Sequence, residues 1–148
     1  MTRRLAWAQL EPAAYQAMLE LEKFSADRID PILFELIKMR ASYLNGCAYC
    51  LDKHTHDALA LGESTQRLVV VSAWREAPHL FTERERAALA LTDAVTRLGE
   101  HGVPDDVWAQ AAEQFEEKEL VHLLMAIATI NAWNRIAIST RAETAPRG

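Results

Sequence analysis

The residues of this chain best suited to chemistry are two cysteines and a histidine that stand close together. Cys47, Cys50 and His54 occupy positions i, i+3 and i+7, so on a helix they line one stripe. The stripe begins in the first turn of the predicted helix, where free N–H groups and the helix dipole stabilise a thiolate, the reactive form of cysteine. The spacing therefore indicates a redox-active dithiol with a histidine that handles protons.

The two cysteines are not equivalent in this pattern. His54 follows Cys50 by four residues and can accept its proton, as in other cysteine–histidine pairs, which makes Cys50 the predicted nucleophile. The helix dipole alone favours Cys47, which is nearer to the start of the helix. The assignment to Cys50 therefore requires that His54 outweigh the dipole.

Three other interpretations of the motif compete with a redox dithiol. Buried spectator cysteines are the weakest, because both cysteines of the chain lie in the motif with a histidine in register. A zinc site could use Cys47, Cys50, His54 and His56, but His56 points to about the opposite side of the helix and no fourth aligned ligand is evident. A thioredoxin-like dithiol needs a βαβ frame, which the sequence does not show. We therefore expect no bound metal.

Length and charge narrow the possible partners. The chain has 148 residues, which fits a single domain over residues 1–148, and its 16 Lys+Arg against 21 Asp+Glu give a net charge of −5. That balance disfavours a nucleic-acid partner, because binding phosphates needs clustered positive charge. The first residues lack the apolar run of a signal peptide, and the uncharged stretch 120–134 is shorter than the roughly 20 residues that span a membrane. These features predict a soluble cytoplasmic protein without a membrane partner.

The fold class follows from helical periodicity and from capping residues. Asp30-Pro31 starts a helix that Asn45-Gly46 ends, and Thr82 to Glu85 forms a capping box. The apolar run at residues 68–71 is too short and too isolated for a strand, so we interpret it as buried helix. An all-α bundle of about seven helices is predicted, over residues 12–24, 30–44, 47–62, 64–75, 82–98, 104–115 and 117–141.

The last predicted helix is apolar on nearly every face, which implies burial on all sides. In so small a protein this predicts that another subunit covers it, and hence a homo-oligomer. The sequence also lacks a glycine-rich phosphate-binding loop, so we expect no flavin, haem or nucleotide cofactor.

A longer pattern carries a family resemblance. Glu35, eleven intervening residues, Cys47-x-x-Cys50, three residues and His54 resemble the alkylhydroperoxidase D (AhpD) and carboxymuconolactone decarboxylase superfamily. Residues 39–46 (MRASYLNG) and 131–135 (NAWNR) are similar to that family as well. The resemblance thus covers the chain from about residue 31 onward.

This resemblance implies an AhpD-like all-α fold that forms trimers or hexamers, and a peroxidase cycle. In that cycle Cys50 attacks a hydroperoxide and becomes a sulfenic acid, and Cys47 resolves it as a disulfide. His54, backed by Glu35, relays the proton. A dithiol reductant, either a lipoyl group or a thioredoxin-like protein, then reduces the disulfide. The catalytic residues implied are therefore Cys50, Cys47, His54 and Glu35.

The chain also departs from that family. Alkylhydroperoxidase D enzymes typically have a histidine just before the second cysteine, whereas this chain has Tyr49, which does not exchange protons near neutral pH. We expect a shorter relay, with slower peroxidase turnover or another substrate. The decarboxylases of the superfamily lack the dithiol, so decarboxylation is not expected. The alternative function is a redox-sensing or stress-response interaction protein whose disulfide changes its assembly.

Overall fold

The computed structural model describes residues 1–147, and the regular elements in that range are helices joined by turns and irregular segments. Its only extended pairing there is a single antiparallel bridge between Gly99 and Gly102. The all-α prediction is therefore confirmed. The α-helices are α1 (Trp7–Leu10), α2 (Pro12–Ala26), α3 (Pro31–Asn45), α4 (Ala48–Ala60), α5 (Thr65–Val70), α6 (Glu83–Thr96), α7 (Asp105–Gln114) and α8 (Glu117–Thr140), with 3-10 helices at Val71–Glu76 and Pro78–Leu80.

Helix α3 begins and ends where its capping residues predict. The Asp30 side chain accepts the backbone N–H of Leu33 at 3.0 Å, and Pro31 occupies the first turn. At the other end Gly46 adopts φ 69°, a left-handed conformation that glycine reaches without strain. This sharp end turns the chain directly into α4, so the two helices that carry the predicted site are neighbours in sequence and in space.

Helix α3 lies in the middle of the bundle and packs against α4, α6 and α8. Leu36, Ile37 and Met39 on this helix are fully buried, and burial of such side chains supplies the main driving force for folding. Because α3 is covered on several sides, its polar residues are carried into the interior together with its apolar ones. Glu35 and Lys38 are buried for this reason.

Helix α8 is the longest helix, with 24 residues and a mean hydropathy of 1.3 in its most apolar window. By length and composition it could span a membrane, beyond what the uncharged stretch 120–134 suggested. In the fold it is a core helix, with Leu123, Ile127 and Ile130 buried against its neighbours. Burial on all sides is not observed in the single chain, because Val121 and Ile138 are 52% and 44% exposed.

The predicted helix over residues 64–75 is interrupted. Helix α5 ends at Val70 and continues as a 3-10 helix in which Ala73 has non-helical φ and ψ angles. Leu68 and Val71 are buried while Val69 is 59% exposed, because residues three apart share a face and their neighbours do not. The apolar run is thus helical as predicted, but only part of it is buried.

Two short elements were not predicted from the sequence. Helix α1 has four residues, and the 3-10 helix at Pro78–Leu80 has three. Segments this short carry too few residues for a periodic pattern. The predicted count of about seven helices therefore becomes eight α-helices within residues 1–147.

Candidate functional site

The two cysteines stand at the start of α4 and are joined by a disulfide, with a Cα–Cα distance of 5.3 Å. Cys47 is the N-cap residue of α4, and its Sγ accepts the backbone N–H of Cys50 at 3.3 Å. Both are almost fully buried. The structure thus shows the oxidised form of the dithiol, in the first turn where the sequence places it.

His54 lies one helical turn beyond Cys50 and faces α3. Its Nδ1 is 3.1 Å from Glu35 Oε2, and both side chains are buried. With a carboxylate at this distance, Nδ1 carries the proton and donates it, which leaves the lone pair of a neutral imidazole on Nε2. Nε2 is the nitrogen suited to accept a proton from Cys50. The structure therefore brings Glu35 and His54 together as the resemblance implies.

The pair continues into a buried chain of charged residues that the sequence did not reveal. Lys38 Nζ donates to Glu35 Oε1 at 2.8 Å and to Glu22 Oε1 at 2.9 Å. The indole N–H of Trp133 donates to Glu22 Oε2 at 3.2 Å. We call Glu22, Lys38, Glu35 and His54 the ionic cluster. Its members come from α2, α3 and α4, with Trp133 of α8 at its end.

The cluster keeps Glu35 ionised. Burial raises the pKa of this carboxyl group, but the hydrogen bond with His54 and the positive charge of Lys38 oppose that effect. The net pKa lies below its ordinary value. Near neutral pH Glu35 is thus a carboxylate. Its negative charge stabilises the protonated form of His54, which arises when the imidazole takes a proton from a thiol.

A cavity of about 120 Å³ opens beside the dithiol. Cys50 and His54 line it together with three aromatic side chains and four other residues. The aromatic ones are Tyr15, Tyr49 and Trp133, and the others are Leu19, Glu22, Lys53 and Ala137. Tyr15, Tyr49 and Trp133 also border a second cavity, of about 260 Å³. The two spaces are therefore adjacent.

Tyr49 stands where the resembling enzymes have a histidine. It is 41% exposed and contributes to the walls of both cavities. A phenol at this place provides an amphipathic surface for a bound molecule. Its place is thus on the cavity wall, where the ionic cluster contributes His54 and Glu22 while Lys38 and Glu35 lie behind them in the interior.

A metal ion could contact only part of this site. Glu35, His54 and Asp57 place ligand atoms within 4.8 Å of one another. Lys38, however, already donates to Glu35 at 2.8 Å, and an ammonium group this close repels a cation. His56, considered for a zinc site, is exposed on another side of α4. The arrangement suits proton transfer better than metal binding.

Comparison with known proteins places the chain in a family. The model of the carboxymuconolactone decarboxylase family matches residues 12–94, a span that includes Glu22, Lys38 and the whole Glu35 to His54 motif. The chain belongs to the carboxymuconolactone decarboxylase family. This confirms the resemblance to the alkylhydroperoxidase D superfamily drawn from the motif.

Relatives within this family cover nearly the whole chain. The uncharacterized protein YdfG of Bacillus subtilis is 36% identical over 140 residues, which are 94% of this chain and 95% of YdfG. A crystal structure of a protein of unknown function from Agrobacterium tumefaciens, a candidate antioxidant defence protein AhpD, is 38% identical with a TM-score of 0.94. It matches over 99% of this chain and 100% of that one.

A more distant structure supports the fold alone. The uncharacterized peroxidase-related protein from Silicibacter sp. TM1040 has a TM-score of 0.75 at 20% identity, over 85% of this chain and 67% of that one. The helical fold is thus shared with this distant protein over 85% of the chain.

Proposed function

We propose that this protein is a thiol-dependent hydroperoxide reductase with peroxidase (peroxiredoxin-type) antioxidant activity. The observation that carries the proposal is that Cys50 and His54 line one cavity while His54 Nδ1 is held 3.1 Å from Glu35. A nucleophile, a base and a group that orients the base are the parts that thiol catalysis needs. Similarity to the candidate antioxidant protein of A. tumefaciens supports the same class of activity.

The first step oxidises Cys50. Its thiolate attacks one peroxide oxygen, the O–O bond breaks, and Cys50 becomes a sulfenic acid. The leaving alkoxide takes the proton that His54 holds and departs as an alcohol. Glu35 stabilises His54 while it is protonated, as its place 3.1 Å from Nδ1 allows.

The second step closes the disulfide. The sulfur of Cys47 attacks the sulfenic sulfur of Cys50, the S–O bond breaks, and the oxygen leaves as water with one added proton. The product is the Cys47–Cys50 disulfide present in the structure. Two electrons from an external dithiol, a lipoyl group or a thioredoxin-like protein, restore the two thiols and leave that dithiol oxidised.

The aromatic cavity favours an organic hydroperoxide over hydrogen peroxide. Tyr15, Tyr49 and Trp133 present apolar ring surface next to Cys50, and burying apolar substrate surface there contributes binding energy. Hydrogen peroxide has no apolar part to bury. The bundle is proposed to work as a soluble cytoplasmic enzyme.

We further propose that the functional form is a homo-oligomer, a trimer or a hexamer. On α8 the side chains of Val121 and Ile138 remain exposed in the single chain. Exposed apolar residues on so hydrophobic a helix favour contact with another copy. Sedimentation of a stable monomer at micromolar concentration would contradict this assembly.

A peroxidase assay across several reductants tests the proposal. The protein is mixed with an organic hydroperoxide and with dihydrolipoamide or a reduced thioredoxin-like protein, and loss of hydroperoxide is followed over many turnovers. We expect continued consumption with at least one dithiol and none with the Cys50→Ser variant. Oxidation that stops after one equivalent and changes the oligomer size would instead favour a redox-sensing interaction protein.

A further inference from the structure

Lys38 is the most deeply buried charged residue near the dithiol, with only 3% of its surface exposed. Its ammonium group lies between the carboxylates of Glu35 and Glu22 and 3.8 Å from the centre of the Phe34 ring. Removing a charge from water is costly unless it is fully paired. A lysine placed this way is therefore held by specific partners, and its position depends on α2 as well as α3.

The charges of the ionic cluster balance when His54 is protonated while both glutamates stay ionised. Glu22 and Glu35 supply two negative charges and Lys38 one positive charge, so the cluster is neutral when His54 is protonated. Protonated His54 is the state that follows proton transfer from Cys50. Without Lys38, two carboxylates would face each other across a buried space, and like charges there would drive one to bind a proton.

The geometry assigns a second effect to Lys38. It occupies Oε1 of Glu35, and His54 Nδ1 contacts Oε2 of the same carboxylate. One oxygen is thereby fixed by an ion pair and the other is presented to the histidine. Because Glu35 and Lys38 are three residues apart on α3, the helix itself sets their spacing.

We infer that Lys38 is a positioning residue of the dithiol site: held by Glu22, it keeps Glu35 ionised and aimed at His54. The inference rests on the proposed function for its role in turnover, but its effect on Cys50 can be measured without a peroxide. Glu22 in turn accepts the Trp133 indole N–H, so the same chain of contacts ends at a wall of the cavity.

Other charged and polar groups also lie near Glu35 and His54. On α4 Lys53 and Asp57 pair with each other at 2.8 Å, and Asp57 Oδ2 is 3.9 Å from His54 Nδ1. Lys53 is half exposed, so solvent screens it more than Lys38. From α2 the facing charge is Glu22, and from α8 the facing polar group is the indole of Trp133.

The test measures how Cys50 reactivity depends on pH. In a Cys47→Ser background the reduced protein is alkylated with iodoacetamide across a pH series, and the midpoint reports formation of the Cys50 thiolate. Lys38→Met should raise the midpoint by about one pH unit, because Glu35 without the ammonium group tends to bind a proton and then no longer stabilises protonated His54. Lys38→Arg keeps the charge and should restore most of the original midpoint.

Two further variants give the test its direction. Glu22→Gln removes the carboxylate that holds Lys38 and should raise the midpoint, but by less than Lys38→Met does, since the Lys38 charge remains beside Glu35. In a Glu35→Gln background, Lys38→Met should have little effect, because the residue through which Lys38 acts is gone. The matched control is Lys118→Met, an exposed lysine in the first turn of α8, which should leave the midpoint unchanged.

The results that would contradict the role of Lys38 differ from those that would contradict the proposed peroxidase activity. An unchanged midpoint in folded Lys38→Met would overturn the inference, as would an undiminished shift in the Glu35→Gln background, which would mean direct action on the thiol. If Lys38→Met does not fold, Lys38→Gln takes its place, because it keeps a hydrogen-bond donor for Glu35 without the charge, and an unchanged midpoint there would overturn the inference. If the midpoints shift as expected but no hydroperoxide is consumed, the role of Lys38 stands and the peroxidase proposal falls.

Discussion

Two buried polar clusters tie α3 to its neighbours, and they differ in charge and in access to the cavity. The ionic cluster borders the cavity beside Cys50 through Glu22 and His54. The other, which we call the amide cluster, is uncharged, and none of its members lines that cavity. It consists of Ser42, Asn45, Thr96, Asn131 and Asn134.

The amide cluster is held by hydrogen bonds among its members, and at its exposed side the guanidinium of Arg135 also donates to Asn131 Oδ1 at 3.0 Å. Asn45 Nδ2 donates to Asn131 Oδ1 at 2.9 Å and to Asn134 Oδ1 at 2.8 Å, and Asn134 Nδ2 donates to Ser42 Oγ at 3.0 Å. Neutral groups satisfied in this way fix the register of α3 against α8 without titrating near neutral pH. Asn131 and Asn134 thus have a structural role.

The two clusters differ in what they contribute: the amide cluster joins helices, and the ionic cluster also supports the dithiol site. Both clusters are built on α3, and each one is held by hydrogen bonds. Burying charges costs more desolvation energy than burying amides, so joining helices through the ionic cluster is energetically less favourable than joining them through amides. We attribute its charge to the site at its end, where the Glu35 carboxylate contacts His54 Nδ1 one helical turn from Cys50.

Replacing His54 should have the largest effect on thiol reactivity. In His54→Ala the base next to Cys50 is lost, and alkylation of Cys50 near pH 7 should slow by about 100-fold, in line with loss of a general base. Rates with iodoacetamide, read by mass spectrometry for each cysteine, check this. If both cysteines of the variant keep their original rates, the helix terminus at Cys47 activates the thiol instead.

Glu35→Gln should act in the same direction but more weakly. The imidazole remains, while its negative partner is lost, so alkylation of Cys50 should slow by about tenfold, less than when the base itself is lost. The same alkylation series measures it. A loss as large as that of His54→Ala would show that Glu35 does more than support the histidine.

Glu35 should also affect how the free energy of unfolding changes with pH in the acid range. Because its pKa in the folded protein lies below its ordinary value of 4.5, its ionised form stabilises the fold above that pH, and this stability is lost as the pH falls further. Denaturant titrations of wild type and Glu35→Gln between pH 6 and pH 3 check the sign. The difference in unfolding free energy should shrink as the pH falls, and a growing difference would contradict the assigned pKa direction.

Breaking the amide cluster should leave the thiol unaffected. Asn134→Ala removes a fully buried amide, and with it one hydrogen-bond partner of Asn45 and one of Ser42. This should cost about 2–3 kcal/mol of stability. In the folded variant the pH midpoint of Cys50 alkylation should stay in place. A shifted midpoint would show that the amide cluster also affects the reactivity of Cys50, which would contradict the distinction between the two clusters.

Metal removal should have the smallest effect. With Lys38 donating to Glu35, we expect no stoichiometric zinc in the purified protein and no change of activity after treatment with a chelator. Elemental analysis of wild type and of the cysteine variants checks this. One tightly bound zinc per chain, lost when Cys47 or Cys50 is replaced, would overturn the redox interpretation.

The sequence predicted what is local in this site and missed what depends on packing. Cys47, Cys50 and His54 belong to one helix, so their spacing was enough to predict a shared stripe. Glu35 lies on the preceding helix and was found through the family pattern. Its contact with His54 requires the turn at Gly46 to bring α3 and α4 together.

Residues from distant segments could not be predicted in the same way. Glu22 and Trp133 are 111 residues apart in the sequence, and only the packing of α2 against α8 brings them together. Lys38 resembles an ordinary surface lysine in sequence, since nothing local shows that α3 is covered on several sides. The helices themselves were predicted well because caps and periodicity are local signals.

The measurement that tests the central claim most directly is trapping of the sulfenic acid. Reduced Cys47→Ser and Cys50→Ser variants are each treated with one equivalent of an organic hydroperoxide and a dimedone-type reagent, and labelled sites are located by mass spectrometry. We expect label on Cys50 in the Cys47→Ser protein, because the attacking thiolate remains and the resolving thiol is absent. No label is expected in the Cys50→Ser protein. Label on Cys47 there, with none on Cys50 in the other variant, would contradict the account and reverse the two roles.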